Sequence, residues 1–163
     1  MCYFTYDTLH GYTQDQARSV LDGFVADVLV GNWDVVGLEN DNILFQQGSN
    51  EPIRIDTGAA FLTRAQGAPK PESLLYRITE FEGFMNPDIN YEYSRVFNTA
   101  NYSKDEWKEK IKQQVQQITD LVKKSGSWDN FVQQFVKQHL SNVPPEKYQQ
   151  TINTIIAMLK DRT

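Results

Sequence analysis

Asp34, Asn42 and Asp56 stand in that order within the stretch from Gly31 to Lys70, GNWDVVGLENDNILFQQGSNEPIRIDTGAAFLTRAQGAPK. Two carboxylates and an amide oxygen are hard donors of the kind Mg²⁺ takes when it also binds the phosphates of a nucleotide. Without a cation, acids this dense with so little base nearby repel one another and raise each other's pKa values. Downstream, Arg64, Gln66 and Lys70 share one loop with Gly67. An arginine can fork onto a phosphate, a lysine can add a point charge, and glycine lets backbone N–H groups come close to an anion. The alternative for Arg64 is that it simply neutralises Asp34 or Asp56.

The elements that would position these groups can be read from periodicity and turn chemistry. Thr13 with Gln16 fits a capping box, and Ala17, Val20, Leu21, Phe24, Val25, Val28 and Leu29 follow at helical spacing, which predicts one helix of about 18 residues. Gly31-Asn32 supplies its stop, and the aperiodic run from Asn32 to Asp41 reads as a loop, with Trp33 anchoring it in the core. Asn42-Ile-Leu-Phe45 and Pro52-Ile-Arg-Ile55 flank Gly48-Ser49-Asn50, which predicts a β-hairpin. A hairpin brings the far ends of its strands together, so Asn42 and Asp56 become neighbours at its open end, and Asp34 approaches the same point from the loop. Residues 1–12 can supply one edge strand or a packed arm, and their rings Tyr3, Phe4, Tyr6 and Tyr12 suit either packing or a place over a flat ligand ring.

The rest is helical. A short helix is expected near Pro71–Arg77 and another around residues 88–97. Ser103 with Glu106 is a second capping box, opening a helix whose stripe runs Trp107, Ile111, Val115, Ile118, Val122. Ser127 opens a helix carrying Trp128, Phe131, Val132, Phe135, Val136 and Leu140, and Pro144-Pro145-Glu146 opens one carrying Tyr148, Ile152, Ile155, Ile156 and Leu159. The Gln- and Lys-rich remainder of these helices reads as solvated face. The fold class expected is α+β, mostly α, with one short antiparallel hairpin.

Composition narrows the function classes. A single cysteine, Cys2, excludes an internal disulfide framework and a Cys-based zinc site. No apolar run approaches the roughly 20 residues of a membrane span, and no basic and apolar signal region stands at the start. The net charge of −5 divides unevenly, −7 over residues 1–60 and +2 over 61–163. An acidic chain without a basic face is a poor partner for duplex nucleic acid.

The order helix, loop Asp, Asn, hairpin, Asp-x-Gly resembles the C-lobe of the protein-kinase-like fold, including its lipid-kinase and HipA-like branches. By that resemblance Asp34 matches the catalytic-loop Asp, Asn42 of DNIL the metal-binding Asn, and Asp56 of DTG the second metal-binding Asp, over about residues 13–60. Asp34 and Asn42 are eight positions apart, no His or Arg adjoins Asp34 in the usual pattern, and residues before Thr13 supply no Gly-rich loop, strand lysine or helix glutamate. Such a chain is either a piece of a larger protein or a scaffold that binds without transferring phosphate. If it is an enzyme, the class implied is a kinase-like phosphotransferase or nucleotidyltransferase.

The wider string GNWDVVG…DNIL…RIDTGAAF…RAQG…K also looks like modules of large bacterial effector and toxin-like proteins, notably the effector nucleotide-binding domain named KLAMP. That resemblance implies a single domain over 1–163 that binds an adenine nucleotide such as ADP or cyclic AMP, with Mg²⁺ as companion. It also implies delivery from the bacterial cytoplasm to a host cytoplasm without a cleaved signal, and a host protein as partner. Tyrosine rings stacked on the base are part of it, and Tyr12 and Tyr76, with Phe4, are the candidates by proximity, as Asn32 is beside Asp34.

Two other classes compete. Ile55-Asp56-Thr57-Gly58-Ala59 matches the active-site signature of retroviral aspartic proteases, but that enzyme needs an almost wholly β chain and two such aspartates. His10 and His139 are isolated, and no nucleophile elbow is present. The remaining alternative is a helical protein–protein interaction module whose Asp and Asn side chains only cap turns.

Overall fold

The computed structural model describes residues 3–5, 11–46, 48–64, 66–139, 144, 146 and 148–163. Expectations placed on the side chains of Tyr3, Phe4, Tyr6, His10, Val136, His139, Leu140 and Pro145 fall outside what it describes. The chain is α+β and mostly α. Its elements are β1 (Tyr3–Thr5), α1 (Gln14–Leu21), α2 (Phe24–Val30), β2 (Ile43–Gln46), β3 (Pro52–Arg54), α3 (Glu72–Leu75), α4 (Glu80–Gly83), α5 (Tyr91–Ala100), α6 (Lys104–Ser125), α7 (Trp128–His139) and α8 (Gln149–Asp161). The antiparallel hairpin β2–β3 pairs Leu44 with Ile53, and β1 adds an edge strand to it with Phe4 opposite Phe45.

Local chemistry explains the helix starts. Thr13 Oγ1 accepts from the Gln16 N–H at 3.2 Å while Gln16 Oε1 accepts from the Thr13 N–H at 3.0 Å, which closes a capping box. Ser103 and Glu106 repeat the arrangement at α6. Asn90 caps α5 by accepting from the Tyr93 N–H. The last helix starts at Gln149, later than the opening expected at Pro144-Pro145-Glu146, with Tyr148 at its N-cap making no side-chain cap bond.

The single 18-residue helix expected from Thr13 onward is two helices, broken at Asp22-Gly23. The cause is Arg54. Its guanidinium passes where a Gly23 side chain would stand, Nη2 being 2.5 Å from an ideal Cβ, and donates to the Val20 carbonyl at 3.0 Å. The break orphans further backbone groups, and Gln114 of α6 meets two of them: its Nε2 donates to Leu21 O at 2.8 Å and its Oε1 accepts from the Val25 N–H at 2.9 Å. Lys110, one turn earlier, pairs with Asp22 at 2.5 Å. The α6 stripe is corrected accordingly, with Gln114 buried and Val115 outside.

Two apolar clusters hold the layers. In the first, Phe24 lies within 5.0–6.4 Å, centroid to centroid, of Phe81, Phe84, Tyr93, Phe97 and Trp107, mostly edge-on. Edge-to-face pairs add to the apolar burial of each ring. The second joins Val132 of α7 to Ile152, Ile156, Met158 and Leu159 of α8.

An ion pair between buried Asp27 and partly buried Arg54 crosses the first cluster's edge. Arg54 Nε and Nη2 donate to Asp27 Oδ1 and Oδ2 at 2.8 and 2.5 Å, and the Tyr93 hydroxyl donates to Oδ2 at 3.2 Å. Burial pushes the Asp27 carboxyl up, and the charge and hydrogen bonds of Arg54, then Tyr93, pull against it. Removing one partner of such a pair strands the other charge. Arg54→Met is expected to lower stability by roughly 3–5 kcal/mol in urea titration at pH 7, and Asp27→Asn added to it to recover part of that loss. An unchanged midpoint in the single variant would contradict this account.

Candidate functional site

Helix α2 ends at Gly31, whose φ of +65° is the left-handed conformation that turns the chain out of the helix. The Asn32 N–H then reaches back to Asp27 O at 2.9 Å. Asn32 is buried, and its side-chain oxygen accepts from the Asp34 N–H at 3.4 Å. Val35 and Val36, both buried, pin the loop to the core. The Asn42 N–H donates to Val36 O at 3.3 Å, and the Asn42 side chain donates to Asp34 O at 2.7 Å, so the start of the hairpin holds the loop directly.

The hairpin ladder continues past its last regular pair, because Ile55 N–H donates to Asn42 O at 3.0 Å. That bond sets Asp56 beside Asn42. Asp56 is exposed, and its Oδ1 accepts from the Gly58 N–H at 2.8 Å. Asp34 registers the crowding: burial raises its carboxyl above the ordinary range, Asp56's charge raises it further, the Asn42 side chain lowers it by hydrogen bonding, and Asp41's charge raises it again. Asp34 and Asn42 are thus joined directly, and Asp56 follows the Asn42–Ile55 bond closely enough for its charge to act on Asp34. Asp41, which the sequence shows directly before Asn42, adds the smallest of these effects on Asp34.

The other candidates are placed differently. Lys70 is inside the protein as a strut: its ammonium donates to Gly31 O at 2.5 Å and Phe61 O at 3.0 Å. Burial lowers its pKa to about 8, Glu80 opposing and Arg162 assisting. Glu80 and Arg162 form a fully buried ion pair, with Arg162 Nη2 also donating to Arg77 O at 3.3 Å. A side chain at position 31 would meet all three, Arg162 Nη1 at 2.7 Å, Glu80 Oε1 at 3.1 Å and Lys70 Nζ at 3.2 Å. Asn32 likewise serves the loop from within. Tyr12 packs edge-on against Phe45 of β2 at 5.9 Å, and Tyr76, ending α3, packs on the second cluster. Arg64 and Gln66 are exposed on a strap closed by Arg64 N–H to Ala68 O at 2.8 Å and by the Thr63–Pro69 bridge.

Among the described residues, no three His, Cys, Asp or Glu side chains are grouped so that they could hold a metal on their own. Comparison of the chain with protein-family models, with curated proteins and with solved structures finds no match in any of the three.

The raised pKa of Asp34 fixes a sign. The folded protein holds this proton more tightly than the unfolded chain, so the stability it contributes is complete below about pH 3.9 and is lost as pH rises through the elevated value. Asp34→Asn keeps a polar side chain at the position and removes the charge. It is expected to flatten this acid-side slope and raise Tm at pH 7 by on the order of 2 °C, measured by calorimetry from pH 3 to pH 7. A fall in Tm at every pH would make the carboxylate a turn cap.

Proposed function

We propose that the mouth of the β2–β3 hairpin binds the phosphates of an adenine nucleotide with the help of a divalent cation. The observation that carries this is the half-buried Asp34 carboxylate tied to the Asn42 side chain at the hairpin mouth, its pKa raised first by burial and then by the charges of Asp56 and Asp41. A carboxylate whose charge is disfavoured by burial and by like charges becomes a favourable ligand once a cation sits against it. The donor set suits Mg²⁺, which keeps several waters and takes one or two carboxylates together with the ligand's own phosphates. When bound, the cation would neutralise phosphate charge that the acidic mouth alone would repel.

Each of the chain's own groups then has a task. Asn42 ties the Asp34 backbone through its Nδ2, which fixes the Asp34 side chain relative to the hairpin. The Gly58 N–H orients the Asp56 carboxylate through Oδ1. Exposed Arg64 and Gln66 are the contacts on hand for the outer phosphates. Adenine as the base rests on the resemblance to the effector nucleotide-binding domain. Binding is the function assigned here; phosphoryl transfer would need gripping groups that this reading does not draw from residues 13–60.

The test is a thermal-shift series with ATP, ADP, AMP and cyclic AMP, each with and without Mg²⁺. Ligand near 100 times Kd stabilises by about 2.7 kcal/mol, or about 5 °C or more for a chain of this size. A shift that requires Mg²⁺, disappears in Asp56→Ala and shrinks in Asn42→Ala supports the reading. No Mg²⁺-dependent shift with any of the four, or a shift that survives Asp56→Ala, overturns it.

A further inference from the structure

Beside the hairpin mouth lies a second surface that meets the proposed nucleotide site only at Asp34. Two cavities of about 580 and 590 Å³ adjoin and share Trp33 and Ile89 as common wall. Ile78 and Phe81 line one, mixed with polar Arg77, Thr79 and Glu82, and Leu38 and Tyr91 line the other, which is the more apolar of the two. These are large apolar side chains left in water: Leu38 is 87% exposed, Tyr91 61%, Ile89 60% and Ile78 48%. Scattered apolar residues on a surface are ordinary, whereas a contiguous set lining a depression marks a contact site.

The groove is built, not a loose flap. The Trp33 ring packs edge-on against buried Phe84 at 5.4 Å, and its carbonyl accepts from the Asn90 side chain at 3.0 Å. The turn bearing Ile89 is closed by Ile89 N–H to Asn86 O at 3.0 Å and Asp88 N–H to Asn86 Oδ1 at 2.9 Å. The apolar wall therefore stands in place before any partner arrives.

Charge decides what the partner is. Glu82 and Arg77 border the first cavity; Asp34, Asp88 and Glu92 border the second, where Glu92 is paired at 3.2 Å with Arg95, whose guanidinium lies over the Tyr91 ring, so Asp34 and Asp88 leave the rim net acidic. An acidic rim around an apolar floor repels anionic lipid and also repels a second copy of the same face, since two such rims would meet acid to acid. We propose that this groove docks an amphipathic segment of another protein, with one large apolar anchor entering each cavity and Lys or Arg side chains flanking them. An apolar face laid into a preformed groove and registered by charges at its margin is a recurring peptide-recognition mode.

The experiment selects binders from a phage-displayed library of peptides about 16 residues long, which as helices would span about 24 Å, against the full chain without nucleotide or Mg²⁺. Its failure is therefore separate from failure of the nucleotide reading. Enriched peptides are expected to carry two large apolar residues and an excess of Lys and Arg. In fluorescence anisotropy they should lose about tenfold or more in affinity for Ile89→Asp and for the double variant Glu82→Lys, Asp88→Lys, and weaken with added salt. Both sites are exposed, so Tm should stay unchanged; if Ile89→Asp fails to fold, the charge-reversal variant decides. Selected peptides that are neutral or acidic, or that bind both variants equally well, overturn the proposal. So does light scattering that finds a dimer which Ile89→Asp dissociates, because the occupant would then be a second copy.

Discussion

The arrangement of this protein depends on one ion pair, buried Asp27 with partly buried Arg54. Asp27 lies in α2, four residues before the left-handed Gly31 that releases the loop of Asp34, and Arg54 ends β3, two residues before Asp56. Fastening the two side chains therefore fixes the distance between the loop and the open end of the hairpin. The candidate site exists because that distance is fixed. Arginine suits the position better than lysine would, since its planar fork meets both carboxylate oxygens and still has an N–H for the Val20 carbonyl.

A buried pair is costly unless its remaining donors and acceptors are met, and here the neighbours meet several of them. Tyr93 adds a third donor to Asp27, and Gln114 answers the two backbone groups exposed by the helix break that admits Arg54. The second buried pair, Glu80 with Arg162, works at the other end of α2. Together with Lys70 it surrounds Gly31, so the reversal that starts the loop is enclosed by charged side chains from the 61–70 strap, α4 and the end of α8. The two pairs hold α2 at both of its functional boundaries.

What could be read from the sequence was local. The capping boxes at Thr13 and Ser103 involve residues three apart and form as their spacing predicts. The hairpin follows from its turn chemistry, and with it the adjacency of Asn42 and Asp56. What could not be read was set by partners far along the chain. The break at Asp22-Gly23 is imposed by Arg54, and Gln114, one of many glutamines on a helix that reads as solvated, becomes buried because that break needs an amide 93 positions from Leu21. Lys70 shows the same limit from the other side: a lysine in a glycine-bearing loop has the composition of a phosphate contact, yet carbonyl oxygens at positions 31 and 61 take its ammonium inside.

Trp33 occupies the seam between these features. Its backbone precedes Asp34, its ring rests on Phe84, and it forms wall for both cavities. The other two indoles, Trp107 and Trp128, belong to the aromatic cluster and to the α7–α8 cluster. One of the three indoles is thus stationed where a docked side chain would displace water from its ring. The protein carries its own optical gauge of that surface, and emission colour would follow occupancy without any added label.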